Sequence, residues 1–245
     1  MKIIGIIPAR YASTRFPAKP LVDIGGKSMI QRVYEQAKKS KLLNDVVVAT
    51  DDDRIALHIK SFGGNVVMTS EKHQSGTDRC FEAIQLFSKD ADVVINIQGD
   101  EPFIQPEQID LVAACFASTA VGIATLVKKI SSEDELFNVN IPKVLLNKNK
   151  EALLFSRQTI PHIRGKELQD WLKNYTFYKH IGIYAYRTKV LAEITALKPS
   201  PLELVESLEQ LRWLENGYKI NVEITDFESV AVDTPDDLKK LAKFL

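Results

Sequence analysis

Cysteine is scarce in this chain: Cys80 and Cys115 are the only two, each in a helix-like context and without CxxC spacing. That excludes a disulfide framework and a zinc ribbon and predicts two core thiols. Excess charge of one sign is absent as well. Thirty-two Lys and Arg balance 32 Asp and Glu, so no global field draws the protein to nucleic acid or to an anionic membrane. Any anion must be held locally. No apolar run approaches the roughly 18 residues of a membrane span. The start, MKIIGIIPAR, has too short an apolar stretch for a secretory core and no small-residue cleavage site after it, so a cytoplasmic protein is expected.

Several motifs are missing too. GGKS at 25–28 ends like a P-loop, but the glycine that GxxxxGK[ST] requires would stand at 21, where Leu21 is found. No GxGxxG follows a strand-like run, and the GG at 63–64 reads as a helix stop. The histidines at 58, 73, 162 and 180 show neither HxxxH nor HExxH spacing. KKSK at 38–41 reads as the solvated end of a helix, where cations suit the macrodipole.

What is present is an alternation. KIIGIIP, DVVVAT, NVVMT and DVVINIQ are short apolar runs separated by amphipathic segments of helical length, over about residues 28–43, through RIALHIKSF, near 78–87 and over about 106–118. This rhythm predicts an α/β fold with a Rossmann-like, mainly parallel sheet covered by helices on both faces. From about residue 123 the rhythm changes. ATLVKKI, KVLLN and EALLFS lack a full helix between them, and an aromatic and basic section follows. A single domain over 1–245, with an inserted α+β part at about 130–215 and a return at VAVDTPDDLKKLAKFL, is expected. In that last segment Thr234 reads as an N-cap with Pro235 at the first helical position.

Parallel sheets bind ligands beyond the carboxyl ends of their strands. RYASTRFPAKPL, at 10–21, follows the first strand and concentrates Arg10, Arg15 and Lys19 there. HQSGTDR, QGDEP and VDTPDD fall at neighbouring ends or loops, and Asp100 and Asp233 each follow a strand-like run. Taken singly the two aspartates read as turn and cap residues. Taken together, opposite three cations, they describe a Mg²⁺·triphosphate site, because magnesium accepts few protein carboxylates and completes its octahedron with water and phosphate oxygens. Lys19, a compact charge, suits the α-phosphate, and the arginine forks suit the β and γ groups.

PARYASTRFPAKPL, HQSGTDR, NIQGDEP, FSRQTIP, HIGIYAYR, SPLELVESLEQLR and VDTPDDL together resemble the 3-deoxy-manno-octulosonate cytidylyltransferases, or CMP-Kdo synthetases, a branch of the sugar nucleotidyltransferases. The resemblance spans residue 3 to about 240. It implies the nucleotidyltransferase fold and a Mg²⁺-dependent reaction of CTP with the acid sugar Kdo, giving CMP-Kdo and pyrophosphate for lipopolysaccharide assembly. It also implies a cytoplasmic homodimer whose inserted sub-domain serves dimerisation and the sugar site, with no nucleic-acid or membrane partner. Carried over residue by residue, it gives Arg10, Arg15, Lys19, Asp100 and Asp233 to catalysis, the two aspartates holding the metal. Pro8, Ala9, Ser13, Ser75, Gly76, Arg79 and Gln98 join Arg10, Arg15, Lys19 and Asp100 around the nucleotide, with Arg79 donating to the cytosine ring carbonyl. The sugar falls to Gln98, Arg157, His180, Tyr184, Glu209 and Gln210. Against these stand plainer readings: SGTD as a helix cap, and Tyr184 and Tyr186 as core aromatics of a strand. Two rival functions remain at this point, an 8-amino-Kdo cytidylyltransferase and a non-catalytic nucleotide-binding module.

Overall fold

Ile3–Ala9 forms the first strand, β1, and every second side chain points to the opposite face: Ile3 and Ile7 one way, Ile4 and Ile6 the other, all buried. A strand with no solvated face must sit inside a sheet covered on both sides. In the computed structural model, which describes residues 1–12, 16–228 and 230–240 (the backbone alone for 239 and 240), it does. β1 pairs in parallel with β2 (Asp45–Thr50) on one side and with β4 (Val93–Asn96) on the other, and β2 pairs in parallel with β3 (Val66–Met68). The connecting helices are α1 (Met29–Ala37), α2 (Asp53–Ser61) and α3 (Gly76–Phe87), and α4 (Pro106–Ala114) follows β4.

The two faces carry two cores. Ile3, Ile7, Val46, Val48, Val93 and Ile95 meet Ile30, Val33, Ile55 and Ile109 of α1, α2 and α4. On the other face Ile4, Ile6, Val47 and Val94 meet Cys80, Ala83 and Ile84 of α3. Truncating one such side chain, Ile6→Ala for instance, costs about 2–5 kcal/mol through lost transfer energy and the cavity left behind. Both cysteines are free, Cys80 fully in the core and Cys115 only half-buried after α4. No helix of the described residues is long and apolar enough to cross a membrane.

Helix α1 stops at Ala37, six residues short of the expected end. Asp110, on α4, supplies the reason. Its carboxylate accepts from Ser40 Oγ and from the amides of Lys41 and Leu42 at 2.5, 3.0 and 3.1 Å, drawing the chain off the helical path. At the other end Ser28 caps the helix, its hydroxyl accepting from the Gln31 amide.

The second half departs more from expectation. β5 (Ile123–Lys129), α5 (Glu133–Phe137), β6 (Lys143–Leu146) and β7 (Ala152–Ser156) follow the strand-rich reading. After α6 (Trp171–Asn174), however, β8 (Tyr178–Arg187) lies inside the main sheet, antiparallel to both β4 and β5. The span of about 130–215 is therefore no separate body. It contributes a central strand, while β6 pairs with β7 and β8 off the main path. Helices α7 (Thr188–Thr195), α8 (Pro201–Glu206) and α9 (Gln210–Glu215) precede β9 (Ile220–Ile224), which pairs in parallel with β5. Among the described residues the sheet runs β3-β2-β1-β4-β8-β5-β9.

The final helix, α10 (Asp237–Lys240), begins later than the Thr234 cap expected from sequence. The capping runs backward. The Asp237 carboxylate accepts from the amides of Asp233 and Thr234 and from the Thr234 hydroxyl at 3.1, 2.9 and 2.9 Å.

Candidate active site

β1 and β4 end side by side, and Gly99 lets them converge: a Cβ there would stand 2.8 Å from the Pro8 carbonyl oxygen, closer than backbone atoms tolerate. The strand ends and the N-terminus of α3 enclose a cavity of about 450 Å³. Pro8 and Ala9 line it from β1 and Arg10 from just past it, Gln98 and Asp100 from beyond β4, and Ser75, Gly76 and Arg79 from the cap and first turn of α3. Lys19 closes its mouth from a single 3₁₀ turn. Nine of the residues expected around a nucleotide thus converge on one hollow. Ser13 and Arg15 lie outside the described residues.

α3 begins as a capped helix: Ser75 Oγ accepts from the Asp78 amide at 3.1 Å, and Asp78 accepts from the Ser75 amide at 3.2 Å. Ser75, not Thr77, is the cap. The first turn of the helix therefore presents its positive dipole end and Gly76 to the cavity.

At the mouth, Lys19 Nζ donates to Asp100 Oδ2 at 2.7 Å and to the Val232 carbonyl at 2.9 Å, and lies 3.6 Å from Asp233 Oδ1. The Val232 amide in turn donates to the Asp100 carbonyl at 2.9 Å. Two carboxylates 133 residues apart in sequence are thereby brought around one positive charge. The donor set fits Mg²⁺, a hard cation that takes one or two carboxylates and fills the remaining positions with water and phosphate oxygens. No three His, Cys, Asp or Glu side chains among the described residues form a metal cage by themselves.

Arg79 reaches the cavity wall but is held from behind. Its side chain is fully buried, with Nη2 donating to Asp51 Oδ2 and Nη1 to Thr69 Oγ1, both at 2.6 Å, and Nε buried without a partner. These bonds use one N–H of each terminal nitrogen and hold the guanidinium against Asp51 and Thr69. Asp51 and Thr69, some 10 to 28 residues away in sequence, are what the linear reading lacked.

The sugar residues divide. Gln98 lines the cavity and is oriented by its amide, which donates to the Gly182 carbonyl of β8 at 2.9 Å. Glu209 accepts from Thr77 Oγ1 at 2.9 Å, beside Ser75 and Gly76, and burial raises its carboxyl pKa against the hydrogen bonds that lower it. Gln210 is buried with its Nε2 unpartnered. The His180 ring is enclosed by Phe155, Tyr184 and Thr125, with Nε2 3.0 Å from Thr125 Oγ1, and loss of solvent pushes its pKa down to about 3. Tyr184 packs in the core against Tyr186 and edge-on to Trp213, as the plainer reading had it, although its buried hydroxyl has no partner among the described residues.

Arg157 is turned elsewhere. Its Nε donates to the Glu206 carbonyl at 2.6 Å, and its two terminal nitrogens to the carbonyls of Val139 and Ser207 at 3.2 and 3.3 Å. It fastens the end of α8, where Ser207 turns at a positive φ of 51°, to the loop after α5. The structure does not bring it to the cavity. Missing from the sequence reading was Asn96, whose buried Oδ1 also lacks a partner. An asparagine inside the apolar run VVINIQ was the available signal.

This geometry has relatives. A family model described as cytidylyltransferase matches residues 4–220. The chain is 63% identical to a 3-deoxy-manno-octulosonate cytidylyltransferase of Parabacteroides distasonis, across 100% of this chain and 98% of that one. The chain belongs to the cytidylyltransferase family. Its counterpart in Bacteroides thetaiotaomicron, with the same name, is 62% identical over 100% and 98% of the two chains. A solved structure of CMP:2-keto-3-deoxy-manno-octonic acid synthetase complexed with CTP superposes with a TM-score of 0.92 at 40% identity, covering 100% of this chain and 98% of that one. This cytidylyltransferase therefore has the mixed α/β nucleotidyltransferase fold and is an enzyme.

Proposed function

We propose that this cytidylyltransferase transfers CMP from CTP to the anomeric hydroxyl of Kdo, releasing pyrophosphate. The observation that carries the reading is Lys19 held between Asp100 and Asp233 at the mouth of a cavity whose floor is the N-terminus of a capped helix. The name of its relatives, 3-deoxy-manno-octulosonate cytidylyltransferase, agrees with it. A module that only bound a nucleotide would have no need of two carboxylates beside a triphosphate.

In the reaction the anomeric oxygen forms a bond to the α-phosphorus, the bond from that phosphorus to the β-bridging oxygen breaks, and the hydroxyl proton passes to solvent. Negative charge grows on the leaving oxygen. Lys19, released from its ion pair when phosphate arrives, and Arg10 on the cavity wall are fixed cations that lower the energy of that charge. Asp100 and Asp233 are the residues that would hold Mg²⁺, which when bound neutralises phosphate charge. Arg15, from the same loop, joins the cations in this reading.

Base selection falls to Pro8 and Ala9 backbone groups and to Ser75 and Gly76 at the start of α3, with Arg79 shaping the wall from behind. Gln98, Glu209 and Gln210 supply neutral or acidic hydrogen-bonding groups for sugar hydroxyls, and the unpartnered buried atoms of Asn96, Tyr184 and Gln210 mark polar capacity available near them. His180 acts as a neutral group. Arg157 contributes by holding α8, which precedes the Glu209 turn. A cytoplasmic homodimer is part of the proposal: Leu202, Leu204 and Val205 of α8 and Leu153 of the edge strand β7 are exposed apolar side chains that a second copy would cover.

Mixing the protein with CTP, Mg²⁺ and Kdo and following phosphorus resonances tests the reading. A Kdo-dependent CMP diester signal with equimolar pyrophosphate supports it, and CTP left intact refutes it. Running 8-amino-Kdo in parallel decides between the two acid sugars.

A further inference from the structure

Asp233 reaches Lys19 from the end of a strap that follows β9 and whose described residues, 225–228 and 230–233, form no helix or strand. Nothing within such a segment fixes where its last residue sits, so its position is set by the points at which it is fastened. Four are seen on the described residues, one of them Val230, which packs against the cluster of Ile24, Met29 and Val232. The Thr225 amide donates to the Val127 carbonyl of β5 at 2.9 Å. Val232, fully buried among Ile24 and Met29, donates its amide to Asp100 and accepts from Lys19. Between them stands Glu228. Its Oε1 meets Lys179 Nζ at 2.8 Å and its Oε2 meets Lys128 Nζ at 2.9 Å.

The Lys179 side chain is only 6% exposed, whereas that of Glu228 is 46% exposed. A cation so enclosed on β8 requires counter-charge, and it has two, Glu228 on the strap and Glu135 on α5. Lys128 sits on β5, the neighbouring strand. The pair of lysines therefore grips the strap from the rigid centre of the sheet, at a point five residues before Asp233, a reach of at most about 17 Å of extended chain. Removing the carboxylate would take away the charged hold on that length, leaving Val230 packed against the Ile24 and Met29 cluster and the two backbone bonds of Val232.

We propose that Glu228, clamped by Lys179 and Lys128, is a positioning residue: it fixes the strap that delivers Asp233 and so sets the affinity of the nucleotide complex for its divalent cation. This rests on Asp233 being a metal carboxylate. The clamp acts through Val232, whose two backbone bonds are the direct link from the strap to Asp100 and Lys19.

The test uses Mn²⁺ as the probe, titrated into the full-length protein with CTP and without Kdo, so that no turnover is involved, with bound and free Mn²⁺ read by paramagnetic resonance. Wild type, Glu228→Gln, Glu228→Asp and Asp233→Asn are compared, alongside hydrogen exchange at the Val232 amide. Asp233→Asn should weaken Mn²⁺ binding by about 10-fold or more, in the range known for disturbed metal sites. Glu228→Gln should weaken it by about 3- to 10-fold and speed exchange at Val232, with Glu228→Asp restoring part of both. If Asp233→Asn weakens Mn²⁺ binding while Glu228→Gln matches wild type in affinity and exchange, the positioning role is overturned and the metal site stands. A Glu228→Gln protein that melts earlier but binds Mn²⁺ normally overturns it equally, since that is what a purely structural salt bridge would do. If Asp233→Asn itself binds Mn²⁺ like wild type, the metal reading fails and the proposal with it.

Discussion

Lys19 and Asp100 form a 2.7 Å ion pair across the mouth of the cavity, joining the loop after the first strand to the turn after the fourth. In this arrangement one side chain both closes the site and supplies the charge that phosphate would meet. Lys19→Ala should lower kcat by about 100-fold or more, the scale of losing one preorganised electrostatic group, with a smaller change in the KM for Kdo. Steady-state pyrophosphate release checks this, and wild-type turnover in the variant would take Lys19 out of the reaction.

Asp100→Asn and Asp233→Asn should each raise the Mg²⁺ concentration needed for activity while leaving the fold intact, because an amide oxygen is a weaker ligand for a hard cation. Rates measured across a Mg²⁺ series, with circular dichroism as the folding control, decide it. Full activity at limiting Mg²⁺ in both variants would make these residues a cap and a turn and nothing more.

Arg79→Ala should act on stability more than on base choice. The substitution strands Asp51 and Thr69 behind the cavity, and breaking a buried ion pair from one side costs about 3–5 kcal/mol. Denaturant unfolding of the variant against wild type measures it. A loss below about 1 kcal/mol, the scale of a surface pair, together with a collapsed preference for CTP, would instead make Arg79 a base-reading residue.

His180 gives the fold an acid-side sensitivity. Its pKa is pushed down to about 3 by desolvation, below the ordinary value near 6.5, so between those pH values the unfolded chain binds a proton that the folded chain does not. Stability from this group is therefore full above about pH 6.5 and declines as pH falls toward 3. Melting temperatures between pH 4 and pH 7 should fall more steeply in wild type than in His180→Gln. Parallel curves would mean that the ring is solvated in the folded protein.

The parts of this molecule legible in its sequence are those governed by near neighbours. Strands β1, β2 and β4 read as continuous apolar runs because each is buried on both faces, and their ends could be placed because parallel strands end together. That is why the sequence places Asp100 and Ser75 beside the loop that carries Lys19. What escaped depends on distant partners. β8 looks like any amphipathic strand, and its place between β4 and β5 is decided by pairing across 53 and 90 residues, as in Val127 with His180 and Ile95 with Ala185. Nor does the sequence show that Asp51 anchors Arg79 from behind, or that the carbonyls of Val139, Glu206 and Ser207 turn Arg157 toward the end of α8.

Cytidylyl transfer to Kdo is tested most directly by initial rates of pyrophosphate release with CTP, UTP and ATP at fixed Kdo and Mg²⁺, each repeated without Kdo. A pocket that satisfies the cytosine edge leaves buried groups unpaired when uracil presents an oxygen in place of the amino group. The account predicts Kdo-dependent release, a preference for CTP over UTP of about 100-fold or more in kcat/KM, and no use of ATP. Equal rates with CTP and UTP, or release that does not depend on Kdo, would contradict it.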